Sequence, residues 1–226
     1  MKDLIISTWN PLGGACPHEC KYCSTEKLMR YPVIKEKYTG EVKFIEKEMN
    51  TNLGSENFIF VCAQHDLFAK EVPESWISRI LMYCSKFNNK YLFQSKNPAR
   101  MHDFLPLFPV GSMLCTTVET NRPELIEEFS GGAIVEERVE AIGELYGAKR
   151  MITIEPVMAF DVDRMADLII KADPDFIAIG ANTGLLKLPE PTKDDVIRLI
   201  GRLEVSTRND CIIHIKPNLE RIIGKR

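Results

Sequence analysis

The sequence predicts an α/β fold, and a partial (β/α) barrel of six or so parallel strands best accounts for its 226 residues. Short apolar runs alternate with stretches of helical periodicity, a pattern typical of parallel strands joined by crossover helices. Most strand positions are apolar rather than every second one, as in strands covered on both faces. Six or seven such units lie near the lower size limit of a complete barrel. An open doubly wound sheet is the alternative.

The predicted elements follow from composition and from turn and cap residues. Strands rich in β-branched and aromatic residues are expected at 4–8, 58–63, 91–95, 113–119, 151–156, 176–181 and 211–216. Helices are expected at 72–87, 121–129, 161–172 and 192–203. The pairs Asn121 with Glu124 and Thr192 with Asp195 have capping-box spacing, and Asp161 is placed to cap the third helix.

The composition predicts a globular chain without a membrane span. Hydrophobic residues make up 45% and charged residues 27%. The amino-terminal sequence lacks the features of a signal peptide, and no stretch approaches the roughly 20 apolar residues of a span. We therefore expect a single domain over 1–226, in the cytoplasm, where seven cysteines do not form a disulfide framework. The net charge of −3 gives no overall attraction to nucleic acid.

Three cysteines, Cys16, Cys20 and Cys23, lie within eight positions after the first predicted strand. Active sites of such folds lie at the carboxyl ends of the strands. Thiolates select zinc, copper(I) or iron–sulfur clusters. A tetrahedral zinc ion would need a fourth ligand, and His18 lies inside the same short turn. A four-iron cluster normally takes four thiolates, so three would leave one iron open to a small molecule. The cluster is the more economical hypothesis, and zinc remains the alternative.

The CxxxCxxC spacing, with Tyr22 just before the last cysteine, closely resembles the radical S-adenosylmethionine (SAM) superfamily. This resemblance implies a radical SAM type of fold, with the cluster loop at 10–24 and a 4Fe-4S cluster on the three cysteines. It also implies SAM at the open iron, an external electron donor, and a 5′-deoxyadenosyl radical that abstracts a substrate hydrogen. Gly13 and Gly14 would give the backbone room for the tight turn.

Further SAM contacts are expected at the other strand ends. Where the superfamily often has a Gly-Gly-Glu-like motif, this sequence reads "CAQHDLF", and Asp66 is the anion there that suits the SAM ammonium group. The cofactor-binding candidates at the strand ends are Gln64, His65, Asp66, Ser95, Thr117, Glu119, Glu155 and Asn182. Ser95, Thr117 and Glu119 are candidates for the ribose and methionine moieties, and Glu155 for a neighbouring polar contact.

The stretches "TWNPLGG", "FVCAQHDLFAKEVPESWISRI", "FQSKNPARM", "TTVETNR", "TIEPVM", "IAIGANTG" and "IHIKPN" resemble a phage- and prophage-associated family of unknown function. A more distant likeness to spore photoproduct lyase points, like that family, to a nucleobase, nucleotide or DNA substrate. Basic residues that would support it are the end "ERIIGKR" and Lys86, Lys90, Lys96 and Arg100. The alternatives are a radical enzyme for a small metabolite or partner protein, which agrees better with the net charge, and a non-catalytic zinc or iron–sulfur module.

Overall fold

The computed structural model describes residues 7–184 and 186–224, and it confirms the α/β fold. Within these residues the strands are β1 (Ser7–Trp9), β2 (Leu12–Gly13), β3 (Lys43–Phe44), β4 (Phe58–Val61), β5 (Lys90–Ser95), β6 (Met113–Thr117), β7 (Lys149–Ile154), β8 (Phe176–Ile179) and β9 (Ile212–Ile215). Residues 4–6 of the first predicted strand and 225–226 of the basic end lie outside the described residues.

The α-helices are α1 (Thr25–Leu28), α2 (Pro32–Lys37), α3 (Glu74–Cys84), α4 (Pro123–Phe129), α5 (Val135–Gly143), α6 (Val162–Lys171), α7 (Lys193–Ser206) and α8 (Glu220–Ile223). Helices of the 3-10 type cover Glu46–Asn50, Pro98–Leu107 and Pro217–Leu219. None of the described helices combines the length and the apolar character needed to cross a bilayer.

The main sheet has seven strands in the order β1-β4-β5-β6-β7-β8-β9, and every neighbouring pair is parallel. Each strand therefore lies beside the next sheet strand in the sequence, without the reversal of order that defines a doubly wound sheet. This excludes the doubly wound alternative. In the described part of the chain β1 and β9 form the two edges, so the barrel is partial. The strands β2 and β3 form a separate antiparallel pair.

The two faces of the sheet bury different layers, because successive side chains of a strand point to opposite sides. One face packs residues such as Ile59 and Ile152 against α3, α5, α6 and α7 in the main core. The other, which we call the inner face, carries a second apolar layer formed by Leu92, Cys115, Met151, Phe176 and Ala178. Two residues further along their strands, Gln94, Thr117 and Thr153 continue the inner face. The inner face thus changes from apolar to polar towards the carboxyl ends.

The four predicted helices are present as α3, α4, α6 and α7, whereas α5 was not predicted. The cap of α7 is as expected, because the Thr192 side chain accepts a hydrogen bond from Asp195 N. The predicted capping box at Asn121 is wrong. Arg122 occupies the cap position of α4, and the Asn121 amide instead bonds to the backbone N and O of Asp161. Local spacing predicted that the Asn121 side chain caps the helix, but it bonds to a separate loop instead.

Candidate cofactor site at the cysteine loop

The cysteine loop follows β2, above the carboxyl ends of the main strands. Gly14 has φ +86°, and a Cβ there would lie 2.1 Å from the carbonyl oxygen of Glu41. A Cβ on Gly13 would lie 2.6 Å from the oxygen of Lys37. Hydrogen bonds from Gly14 N to Lys37 O (2.8 Å) and from Ala15 N to Gly40 O (2.9 Å) close the contact. The two glycines therefore let the loop begin directly against the 37–42 segment, as the tight-turn prediction required.

The middle of the loop docks on the turn that follows α4. Lys21 N donates to Phe129 O at 3.0 Å, and Gly131 N donates to His18 O at 2.7 Å. Between these two bonds, Cys20 Sγ lies 3.2 Å from Ser130 Oγ. These contacts hold the cysteine loop against a turn that lies more than 100 positions further along the chain.

The imidazole of His18 connects the loop to the end of β4. His18 Nε2 lies 2.6 Å from Asp66 Oδ2, and both side chains are buried. Asp66 also accepts hydrogen bonds from Ser95 Oγ (3.0 Å), Lys96 N (2.8 Å) and Phe68 N (2.9 Å). Burial alone would raise the pKa of the Asp66 carboxyl, but these donors and His18 hold it below its ordinary value. An ionised carboxylate only accepts, so His18 Nε2 donates.

A second buried carboxylate, Glu119, lies under Tyr22. Its oxygens accept hydrogen bonds from the Tyr22 hydroxyl (2.9 Å), from Lys96 Nζ, and from Arg138 Nη1 (3.0 Å). Lys96 Nζ also donates to Tyr22 Oη (2.9 Å) and Thr117 Oγ1 (2.8 Å). Burial works to raise the Glu119 pKa, but the two cations outweigh it and hold that pKa far below its usual range. Burial and the neighbouring Glu119 raise the pKa of Tyr22, which therefore keeps its proton and donates it.

The structure thus brings the predicted residues Tyr22, Ser95, Asp66, Thr117 and Glu119 together beneath the cysteine loop, with Lys96 as the connection. The Lys96 backbone bonds to Asp66, and its side chain bonds to Glu119. These polar atoms are occupied by protein partners. Asp66 in particular has donors on both of its oxygens, so its predicted contact with the SAM ammonium group stays a prediction.

Glu155 belongs to a separate group at the ends of the last strands. It accepts hydrogen bonds from Lys216 Nζ and, at 2.8 Å, from Asn218 Nδ2. A Cβ on Gly180 would lie 2.6 Å from the Glu155 carboxylate, so the glycine provides the room for this ion pair. Asn182 bonds within its own loop, to Leu186 O and Gly184 N. Gln64 is half-buried, and its backbone N lies 3.4 Å from Asn10 Oδ1.

The three thiols are half-buried, and within the described ranges no three His, Cys, Asp or Glu side chains are gathered in a geometry that holds a metal ion. Burial and the nearby Asp66 raise the pKa of the Cys16 thiol to about 12. Of the four cysteines outside the loop, Cys62, Cys84 and Cys115 are buried in the core as small apolar side chains, whereas Cys211 is half-buried. The donor chemistry of the loop fits a cluster with three thiolates.

Unsatisfied polar atoms also concentrate on this side of the sheet. Four buried side-chain atoms of the described residues have no hydrogen-bond partner: His65 Nε2, Arg138 Nη2, Thr153 Oγ1 and Asn218 Oδ1. His65 and Asn218 lie in segments that follow strands, Thr153 lies near the end of β7, and the Arg138 side chain reaches the end of β6. Buried polar groups are normally paired. The carboxyl ends of the strands therefore have unused hydrogen-bonding capacity that suits a polar ligand.

The predicted basic surface is not a surface patch. Lys96 is half-buried and its ammonium group is bonded within the Glu119 network, and Arg100 donates to the carbonyl oxygens of Ala69 and Val72. Lys90 begins β5 whereas Lys96 follows its end, so the two are separated by about 20 Å of strand. Lys90 and Lys96 therefore do not form one basic patch, and contact of the basic residues with nucleic acid stays a prediction.

Sequence reasoning missed Arg138, a fully buried arginine, as a site residue. Arg138 Nη1 bonds to Thr117 O and Oγ1 and to Glu119, which ties α5 to the end of β6. A usable signal was present: a charged residue lies on the apolar face formed by Val135, Val139 and Ile142.

Solved structures share this fold. A cysteine-to-alanine variant of spore photoproduct lyase with dinucleoside spore photoproduct aligns with a TM-score of 0.63 and 10% identity, covering 91% of this chain and 75% of that one. A double variant with bound AdoMet and the dinucleoside gives 0.55 and 13%, covering 90% and 62%. SuiB of Streptococcus suis bound to S-adenosylmethionine gives 0.54 and 11%, covering 94% and 50%. No curated protein matches the sequence.

The chain has the α/β fold of radical SAM enzymes, the class to which these structures belong. By sequence, residues 4–189 match the family described as protein of unknown function (DUF5131). The chain belongs to that family.

Proposed function

We propose that this protein is a radical SAM enzyme in which Cys16, Cys20 and Cys23 ligate a 4Fe-4S cluster. One observation carries the proposal: three cysteines with CxxxCxxC spacing lie in one loop at the carboxyl edge of a parallel sheet with the radical SAM fold. When bound and reduced by an external donor, the cluster would cleave SAM at its open iron to a 5′-deoxyadenosyl radical that abstracts a substrate hydrogen.

The residues of the chain would position this chemistry and protect it from water. Asp66 and Glu119 hold the loop through His18 and Tyr22. Below them the apolar inner-face layer of Leu92, Cys115, Met151, Phe176 and Ala178 excludes water from the sheet. The unpaired Thr153 Oγ1 and the half-buried Gln64 offer hydrogen bonds to SAM.

Variants of the cysteine loop test the assignment. We expect Cys20→Ala to abolish cluster binding and 5′-deoxyadenosine formation after anaerobic reconstitution, while circular dichroism shows a folded protein. Cys211→Ala is the matched control, because Cys211 is half-buried just before β9 and outside the loop. A complete cluster spectrum in Cys20→Ala would refute the ligand assignment. A colourless zinc protein without SAM cleavage would instead support the non-catalytic module.

For the substrate, we propose a nucleobase or nucleotide unit, free or in DNA. The support is the fold shared with spore photoproduct lyase, whose structures contain a dinucleoside. A small metabolite or a partner protein is the second candidate, favoured by the net charge of −3 and by the internal use of Lys96 and Arg100. The link to phages remains a prediction.

Product analysis separates the two substrates. Reconstituted protein is incubated with reductant and SAM, and then with nucleosides, dinucleotides or DNA in which hydrogen is replaced by deuterium. Transfer of deuterium into 5′-deoxyadenosine is expected only where the compound is a substrate. Transfer from none of them would favour the metabolite or the partner protein.

A further inference from the structure

Ser130 makes the one side-chain hydroxyl contact with a loop thiol that the described residues show. Its Oγ lies 3.2 Å from Cys20 Sγ, although the two residues are 110 positions apart. The backbone bonds Lys21 N to Phe129 O and Gly131 N to His18 O flank this contact on both sides. The separation of sulfur and hydroxyl is therefore set by the docked backbone and not by two free side chains.

The close approach depends on the residue after Ser130. A Cβ added to Gly131 would lie 3.0 Å from His18 O, so a larger residue would push the turn away from the loop. Ser130 itself is 9% exposed, which leaves little room for water to replace its hydroxyl. The contact is built into the fold at the border of the proposed cluster.

The direction of this hydrogen bond follows from its partners. Ser130 Oγ already accepts from Gly132 N at 3.3 Å, so its hydroxyl proton can be donated to Cys20 Sγ or to the neighbouring Tyr22 oxygen. A metal-bound thiolate carries no proton and can only accept. With the cluster in place, Ser130 would therefore donate to Cys20 Sγ.

We propose that Ser130 raises the reduction potential of the cluster by donating a hydrogen bond to the sulfur of Cys20. This inference rests on the proposed function, since it requires a cluster on the loop. Reduction adds negative charge to the iron–sulfur core, and a donor at a ligand sulfur stabilises that charge. Ser130 would thus be a positioning residue that makes the cluster easier for its electron donor to reduce.

The test is a redox titration of the reconstituted protein under anaerobic conditions, followed by electron paramagnetic resonance. We expect Ser130→Ala to retain iron and sulfide but to be reduced only at a more negative potential than wild type. Ser112→Ala is the matched control, because Ser112 is also buried but donates to Pro109 O before β6, far from the loop. Its potential is expected to equal that of wild type.

Ser130→Thr and Ser130→Val extend the test, because the Thr and Val side chains have nearly the same shape and differ in the hydroxyl. The backbone of Ser130 is extended (φ −152°, ψ 137°), which β-branched residues adopt readily. Thr keeps the hydroxyl and should hold the potential near that of wild type, whereas Val should shift it as Ala does. This pair decides the question if Ser130→Ala loses its cluster.

Equal potentials in the Thr and Val variants, or in Ser130→Ala and wild type, would overturn the inference and leave the proposed function standing if wild type still cleaves SAM. A wild-type protein that binds no cluster would overturn both. The two failures are therefore distinguishable.

Discussion

Glu119 is the residue on which the charges beneath the cysteine loop converge. It is completely buried between Lys96 and Arg138, and its carboxylate also accepts the Tyr22 hydroxyl hydrogen bond. A buried charge is tolerated only when it is paired and hydrogen-bonded. Neutralising Glu119 would leave Lys96 and Arg138 without their shared counter-charge. Its role is therefore electrostatic as well as geometric.

We expect Glu119→Gln to lower the free energy of unfolding by about 3–5 kcal/mol, the range for breaking a buried ion pair. The control Glu155→Gln should cost about 1 kcal/mol or less, since the Glu155 side chain is 26% exposed. Urea unfolding monitored by circular dichroism measures both. Equal losses in the two variants would contradict the central role of Glu119.

The same carboxylate predicts a pH dependence. Because folding lowers the Glu119 pKa, its stabilisation is complete above the unfolded value of about 4.3. It is lost as the pH falls towards the folded pKa. The difference in unfolding free energy between wild type and Glu119→Gln should therefore stay constant from pH 6 to 8 and shrink below about pH 4. A difference that grew with acidity would contradict this assignment.

At the scale of elements, the cysteine loop is held by contacts with several separate segments: the 37–42 segment, the turn after α4 and the ends of β4, β5 and β6. The loop contains only short turns, such as the bond from Cys23 N to Cys20 O at 2.9 Å. Its conformation therefore depends on docking, and the tightest docking contact is at Gly14.

Alanine substitution at two glycines measures this docking. Gly14 and Gly40 both have positive φ, +86° and +78°, but a Cβ at Gly40 meets nothing within 4 Å. Gly40→Ala should cost only the backbone strain of about 1–2 kcal/mol. Gly14→Ala adds the clash with Glu41 O and should cost clearly more, and it should also reduce iron binding after reconstitution. Similar losses of stability in urea unfolding would show that the loop is not packed as described.

In the molecule as a whole, the predicted site residues lie at or above the carboxyl ends of the strands. The basic residues are distributed over both the amino and the carboxyl ends. The amino-terminal end of β5 carries Lys90, and the opposite end directs Lys96 into the interior. These two residues therefore do not contribute to one continuous basic groove. If DNA is bound, we expect few of its phosphates to be contacted.

Salt titration of DNA binding tests this at the scale of the molecule. If few phosphates are contacted, the logarithm of the binding constant should fall with the logarithm of salt concentration with a slope of about −2 or shallower. Fluorescence anisotropy with labelled duplex and single-stranded DNA gives that slope. A slope of about −5 or steeper would indicate a long phosphate-binding surface and contradict the expectation.

The sequence by itself determined the local features of this protein. Four of the helices, the strands of the main sheet and the Thr192 cap depend on short-range periodicity and composition, which the chain displays directly. The alternation of strands and helices also predicted a parallel sheet, whereas the order of its strands was decided by the structure. The motif at Cys16, Cys20 and Cys23 is local in the same sense.

Only the tertiary structure decided which side chains meet. Asn121 bonds to Asp161 instead of capping its helix, Lys96 enters the interior, and Arg138 reaches Glu119 from a helix that was not predicted. Such contacts join residues 19 to 40 positions apart across different elements. The physical reason is that a buried charge or amide takes the partner that folding brings nearest, and no local pattern records that partner.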